Sequence, residues 1–236
     1  MKPPVIVALA VAVSACASLE PAKMAMAPQL MATTEQISVS GIGGGTRGSY
    51  RAGESSGQFT RSESRLVVFD MVDTRYGGAT FTLSEPSIEG QIEARCTVRE
   101  RSINLGENVS FTPQRMAYGC DFTINGRPFP ARFEIQEARS GLAGALMKRE
   151  RRGEIALDRE ILQIRSVHNL EGSPLQTATP IGYVFEQNGR QVGAVELNGT
   201  PRMFLPPNGA DPSLRRAVVA GSMALALLWD PADSAL

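Results

Sequence analysis

Two cysteines, one histidine, paired carboxylates and a short run of cations are the side chains in this 236-residue sequence whose types and spacing could do chemistry. Cys96 and Cys120 each sit in a stretch of alternating polarity. Ile92, Ala94, Cys96 and Val98 share one face of the first stretch, and Met116, Tyr118, Cys120, Phe122 and Ile124 share one face of the second. Each thiol therefore points to the apolar side of its strand. Such a pair forms a structural disulfide in an oxidising compartment. Two buried free thiols or a redox pair are the alternatives, although no Cys-x-x-Cys supports the latter. His168 shares a strand face with Leu162, Ile164 and Ser166, the setting of a partly buried, hydrogen-bonded structural histidine. Asp70/Asp73 and Glu85/Glu89 have the residue types of an acid–base hydrolase, or of surface turns. Lys148, Arg149, Arg151 and Arg152 form a candidate patch for anionic headgroups or cell-wall polymers, or else a solvated helix end. The run Gly41 to Gly48 lacks the Gly-Lys-Ser/Thr and following helix of a P-loop and reads as linker.

Composition excludes several classes. Twenty-four basic and 24 acidic residues give zero formal charge, which argues against a nucleic-acid binder driven by bulk charge. One histidine removes most His-based metal sites and leaves Ser-His-Asp or Cys-His catalysis one possible imidazole. Gly-x-Ser-x-Gly, His-Glu-x-x-His and EF-hand spacings are absent. No cofactor is implied. The apolar content of 42 % with 20 % charged residues is that of an ordinary globular chain.

The N-terminus carries an address. Lys2 precedes an apolar run from Val5 to Val13, followed by Ser14, Ala15 and Cys16. This is the order of a secretory signal, and the run is too short to cross a bilayer as a helix. Val13-Ser14-Ala15-Cys16 resembles the lipobox of bacterial lipoproteins. The resemblance implies cleavage after residue 15, a diacylglyceryl thioether on Cys16, and anchoring to the envelope with the outer membrane favoured, since Ala17 rather than Asp follows the cysteine. A plain secretory signal cut before Ser18 is the alternative. From Ala17 to Ser49 there is no Phe, Trp or Tyr, so residues 16–57 read as a flexible tether.

The elements that must position the candidate residues follow in residues 58–232, a single β-rich domain. Segments 64–72, 80–84, 91–98, 116–124, 132–136, 160–167, 182–187 and 191–197 have strand character. Asn125-Gly126, Asn188-Gly189 and Asn198-Gly199 are turn signals between them. Ser140 to Gly153 reads as a helix with a cationic last turn. The span 214–229, free of charge from Ala217 to Trp229, reads as a helix about 20 Å long in its uncharged part, short of the ~30 Å hydrocarbon core. A helix apolar all round belongs inside a protein. The expected fold is therefore mainly β, an antiparallel meander closing into a barrel or sandwich around a hydrophobic C-terminal helix. Ile164-Arg165-Ser166-Val167, Gly182-Tyr183-Val184-Phe185, Val192-Gly193-Ala194-Val195 and the terminal helix are similar in layout to the tubby C-terminal, scramblase and LURP-one superfamily. That resemblance implies a roughly twelve-stranded barrel enclosing the helix, and it transfers no functional residue.

These features lead to an envelope lipoprotein with a non-enzymatic binding or structural domain, its partner a lipid, a cell-wall polymer or an envelope protein. An accessory subunit of an envelope assembly machine and an envelope hydrolase are the other readings.

Overall fold

Asn125-Gly126 and Asn188-Gly189 both adopt positive φ, at 50° and 75° and at 52° and 76°, as tight hairpin turns require. Antiparallel pairing of consecutive strands builds nearly all of the described chain. The computed structural model describes residues 22–68, 72–86, 90–104, 110–138 and 149–229. Its strands are β1 (Glu35–Ser40), β2 (Arg47–Ala52), β3 (Ser55–Val68), β4 (Val72–Leu83), β5 (Ile92–Asn104) and β6 (Ser110–Ile124). They continue with β7 (Arg127–Glu137), β8 (Arg151–Leu157), β9 (Glu160–Val167), β10 (Gly182–Gln187), β11 (Arg190–Glu196) and β12 (Arg202–Leu205). Each strand from β2 onward pairs antiparallel with its predecessor, and β12 returns to β1 with Glu35 opposite Leu205, closing the barrel. Closure leaves no unpaired edge. The barrel outcome replaces the barrel-or-sandwich choice.

Eight strands give a barrel that side chains alone can fill, whereas twelve leave a wider interior. Here the interior is occupied by α2 (Pro212–Leu227), whose residues from Ala217 to Leu225 are all buried, together with Leu227. Glycines admit the helix at two places. A Cβ at Gly193 would lie 2.6 Å from Val218 Cγ1, and one at Gly221 would lie 2.7 Å from Phe185 Cε1. Asp211 caps α2, its Oδ1 accepting from Leu214 N at 3.0 Å, with Pro212 next in the first turn. Arg215 and Arg216 face the positive pole of the helix, and rim carboxylates offset them. Arg215 lies 3.2 Å from Glu35, and Arg216 meets Asp158 and, at 3.7 Å, Glu85. These contacts lock the end of the barrel at which the helix enters.

Tyr118 on β6 ties wall to helix. Its hydroxyl donates to Ala224 O at 3.0 Å, and its ring packs edge-on against Phe133. Burial holds its pKa far above the ordinary phenol value. Because Ala224 O also accepts from Leu228 N, Tyr118→Phe removes one bond without orphaning the carbonyl. Tyr118→Phe should therefore cost only about 1 kcal/mol in urea unfolding, with the fold retained.

Cys96 and Cys120 stand directly opposite one another on β5 and β6, with Cα atoms 4.0 Å apart and sulfurs bonded at 2.07 Å. Both are buried in the core.

Two expectations give way. Residues 35–57 are not tether: β1, β2 and the start of β3 are staves of the barrel, and Val39, Tyr50 and Ala52 belong to its core. Residues 22–34 are fixed as well. They cross the outer face of β10, β11 and β12, where α1 (Pro28–Thr33) seats Leu30, and Met24 and Leu30 pack with Val184, Ala194 and Phe204. The proposed helix from Ser140 to Gly153 lies outside the described residues as far as Lys148, but its end does not. Arg151 to Gly153 open strand β8, held by ladders to both β7 and β9.

Candidate functional site

α2 enters the barrel after β12 and its C-terminus emerges at the opposite end, among the β1–β2, β9–β10 and β11–β12 connections. At this exit end lies a cavity of about 550 Å³. Among the described residues its charged lining residues are Arg61 and Arg151. Tyr183, Asn198 and Thr179 add polar groups, and Ile42, Ile181, Leu225 and Leu228 supply apolar wall.

Arg151 is the first residue of β8 and shares the inward face of Ile155 and Leu157. Only 1 % exposed, it donates from Nη1 to Tyr183 Oη at 3.1 Å, with Tyr183 reaching inward from β10. The backbone N–H of Arg151 donates to Ser166 Oγ at 2.9 Å. Ser166 Oγ in turn lies 3.1 Å from His168 Nε2, and His168 Nδ1 is 2.9 Å from Thr177 O. The single histidine is thus a buried structural group that positions the start of β8, as its strand face suggested.

Arg61 arrives from β3. Its Nε donates to Gly45 O at 3.0 Å and its Nη2 to Gly43 O, while its guanidinium stands 5.6 Å from the Phe59 ring centre and 5.0 Å from that of Trp229. Partial burial lowers its pKa from the ordinary arginine value. The glycine run is therefore the β1–β2 connection, with carbonyls that Arg61 gathers over the helix exit. Among the described residues, the lining thus combines guanidinium and hydroxyl groups with aliphatic wall.

The cationic run does not form a single patch. Strand alternation sends Arg151 inward and Arg152 outward, where Arg152 sits 3.8 Å from Glu150. Arg149 pairs with the buried Glu100 at 3.5 Å, and Lys148 lies outside the described residues. Of each carboxylate pair only one member is described. Glu85 accepts from Ser55 Oγ at 2.9 Å and faces Arg216, Asp73 lies on β4, and Asp70 and Glu89 are outside the described residues, as is Cys16. Among the described residues no group of three or more His, Cys, Asp or Glu is placed to hold a metal ion. No described helix is long and apolar enough to cross a membrane.

Arg61, Tyr183 and Trp229 were not singled out by sequence. The available signal was faint: Arg61 is two residues from Phe59, so an arginine continues an inward-facing stripe. Glu196 was also missed. It is 1 % exposed on the outer face, with Arg202 Nη2 at 2.7 Å from one oxygen and the backbone N–H of Met24 at 2.7 Å from the other. No family model matches the chain, and neither a curated protein nor a solved structure matches it.

Proposed function

We propose that the chain is a lipid-anchored cell-envelope protein whose barrel is a non-enzymatic binding module, and that the exit-end cavity takes an anionic group carried on an apolar moiety. The observation that carries this reading is the lining itself. Two arginines and a tyrosine line it together with Ile42, Ile181 and Leu228. Guanidinium donors in a partly dehydrated site suit phosphate or carboxylate recognition, and the adjoining aliphatic wall suits an acyl or prenyl chain. Acylation of Cys16 supplies the anchor in this reading, since two or more acyl chains make attachment effectively stable.

The test is native mass spectrometry of the mature chain extracted from envelopes in mild detergent, followed by titration with phosphatidylglycerol. The expected result is a co-purifying acidic lipid or lipid-linked anion, with phosphatidylglycerol affinity falling about tenfold in Arg61→Gln, the equivalent of ~1.4 kcal/mol. A bare protein mass together with no binding of phosphatidylglycerol overturns the cavity assignment. A captured protein subunit with an empty cavity supports the assembly-accessory reading instead, and turnover of a captured glycan supports a hydrolase.

A further inference from the structure

We propose that the helix-exit end of the barrel is the surface that meets the lipid bilayer. This rests on acylation of Cys16 and adds a direction to it. Residues 22–25 are held at the exit end. Asn198 Nδ2 donates to Ala22 O at 2.5 Å, Glu171 N to Lys23 O at 2.8 Å, Met24 N to Glu196 Oε1 at 2.7 Å, and Ala25 N to Asn169 O at 2.9 Å. All four partners lie at the end of β11 or in the β9–β10 and β11–β12 connections. Met24 is 2 % exposed, and its sulfur takes up space that a Cβ at Gly182 would invade at 2.4 Å. From there the segment runs over the outer face to Glu35, at the entry end.

Only six peptide units separate Cys16 from Ala22, and fully extended they reach about 20 Å at most. A seven-residue strand such as β8 is itself about 23 Å long. An acyl group held in the bilayer therefore keeps the exit-end connections within about 20 Å of the headgroups. Turning the entry end to the membrane would demand a tether drawn nearly straight along the whole barrel, at a large cost in chain entropy. A free tether of some 40 residues would impose no such direction. Two long hairpins also end on this side. β3 and β4 pair out to Val68 opposite Val72, and β5 and β6 pair out to Asn104 opposite Ser110. The Arg61 and Arg151 cavity would then open toward the bilayer, so that a headgroup reaches it without leaving the membrane surface.

Fluorescence quenching on the full lipidated chain tests this. Thr200→Cys and Arg190→Cys place single free thiols near opposite ends of β11, both exposed, for a fluorophore on vesicles of phosphatidylethanolamine and phosphatidylglycerol doped with a nitroxide-headgroup lipid. The Thr200 site should be quenched several-fold more than the Arg190 site. Inserting a long Gly/Ser stretch after Ser18, which leaves the captured segment intact, should remove most of that difference. Met24→Asp with Glu196→Gln should do the same by releasing the segment. Equal quenching at both sites in the acylated wild type, or stronger quenching at Arg190, overturns the orientation. The mass of the N-terminal peptide separates this from the anchoring reading. A diacylglyceryl thioether on Cys16 with equal quenching sinks the orientation alone, whereas an unmodified N-terminus at Ser18 sinks both.

Discussion

Val219→Arg should leave no folded barrel. Val219 is 1 % exposed, near the middle of α2, and is enclosed by the wall on every side. A guanidinium there would lose its hydration with no carboxylate to meet it, a penalty of several kcal/mol even after relaxation. Domains of this size are stable by only about 5–15 kcal/mol, so one such substitution removes most or all of the margin. Leu225→Arg provides the contrast. Leu225 is equally buried but borders the exit cavity, so a long arginine has a short route to water and the loss should be smaller. Circular dichroism melts of the chain lacking its N-terminal signal should show no cooperative transition for Val219→Arg and a lowered one for Leu225→Arg. Truncation before Asp211 should resemble Val219→Arg, because the twelve-stranded wall then has nothing to pack on. A truncated chain that melts at the wild-type temperature would show that the helix is dispensable.

The contrast between these sites also shows how legible the sequence was. The helix could be read because nothing but burial explains an uncharged run from Ala217 to Trp229 that is too short for a bilayer. The β10–β11 hairpin could be read because Tyr183 and Phe185 alternate up to an Asn-Gly pair. Strands β1, β2 and β12 were illegible for a physical reason. β1 places only Val39 fully in the core, and β1 is fixed by pairing with β12, some 170 residues away, as Glu35 opposite Leu205 shows. Propensity over a short window carries no trace of that partner. Strand β8 was hidden by the candidate site itself. Its inward positions are Arg151, Gly153, Ile155 and Leu157, and a cation and a glycine stand where the pattern calls for apolar residues. Helical capping logic then claimed the segment. Local rules tend to fail where residues are spent on something other than packing, and here that failure coincides with the mouth of the cavity. The tether was overestimated because Met24 and Leu30, with no aromatic neighbour in sequence, find their apolar partners Val184, Ala194 and Phe204 far along the chain.

Loss of the Cys96–Cys120 bond should be the second large effect, and it should act on the unfolded chain more than on the barrel. The bond closes a loop of 25 residues, a separation of 24, which in the chain-entropy model stabilises the folded state by about 3 to 4 kcal/mol. In the native state the two residues are already opposed in the β5–β6 ladder, flanked by Ala94 opposite Phe122 and Val98 opposite Tyr118. Removing the covalent link therefore leaves the register intact. Cys96→Ala with Cys120→Ala should lower the urea midpoint strongly while keeping the wild-type circular dichroism spectrum in buffer. Incubation with dithiothreitol should act slowly on the native protein, since both sulfurs lie in buried residues and exchange needs access to a thiolate, yet quickly in urea. The serine pair should be worse than the alanine pair, because two hydroxyls would be buried in an apolar core with no partner assured. Equal urea midpoints for the wild type and the double alanine variant would mean that the hairpin is as ordered in the unfolded ensemble without the bond as with it. The stabilising role assigned to the pair would then fail, even with the sulfurs linked.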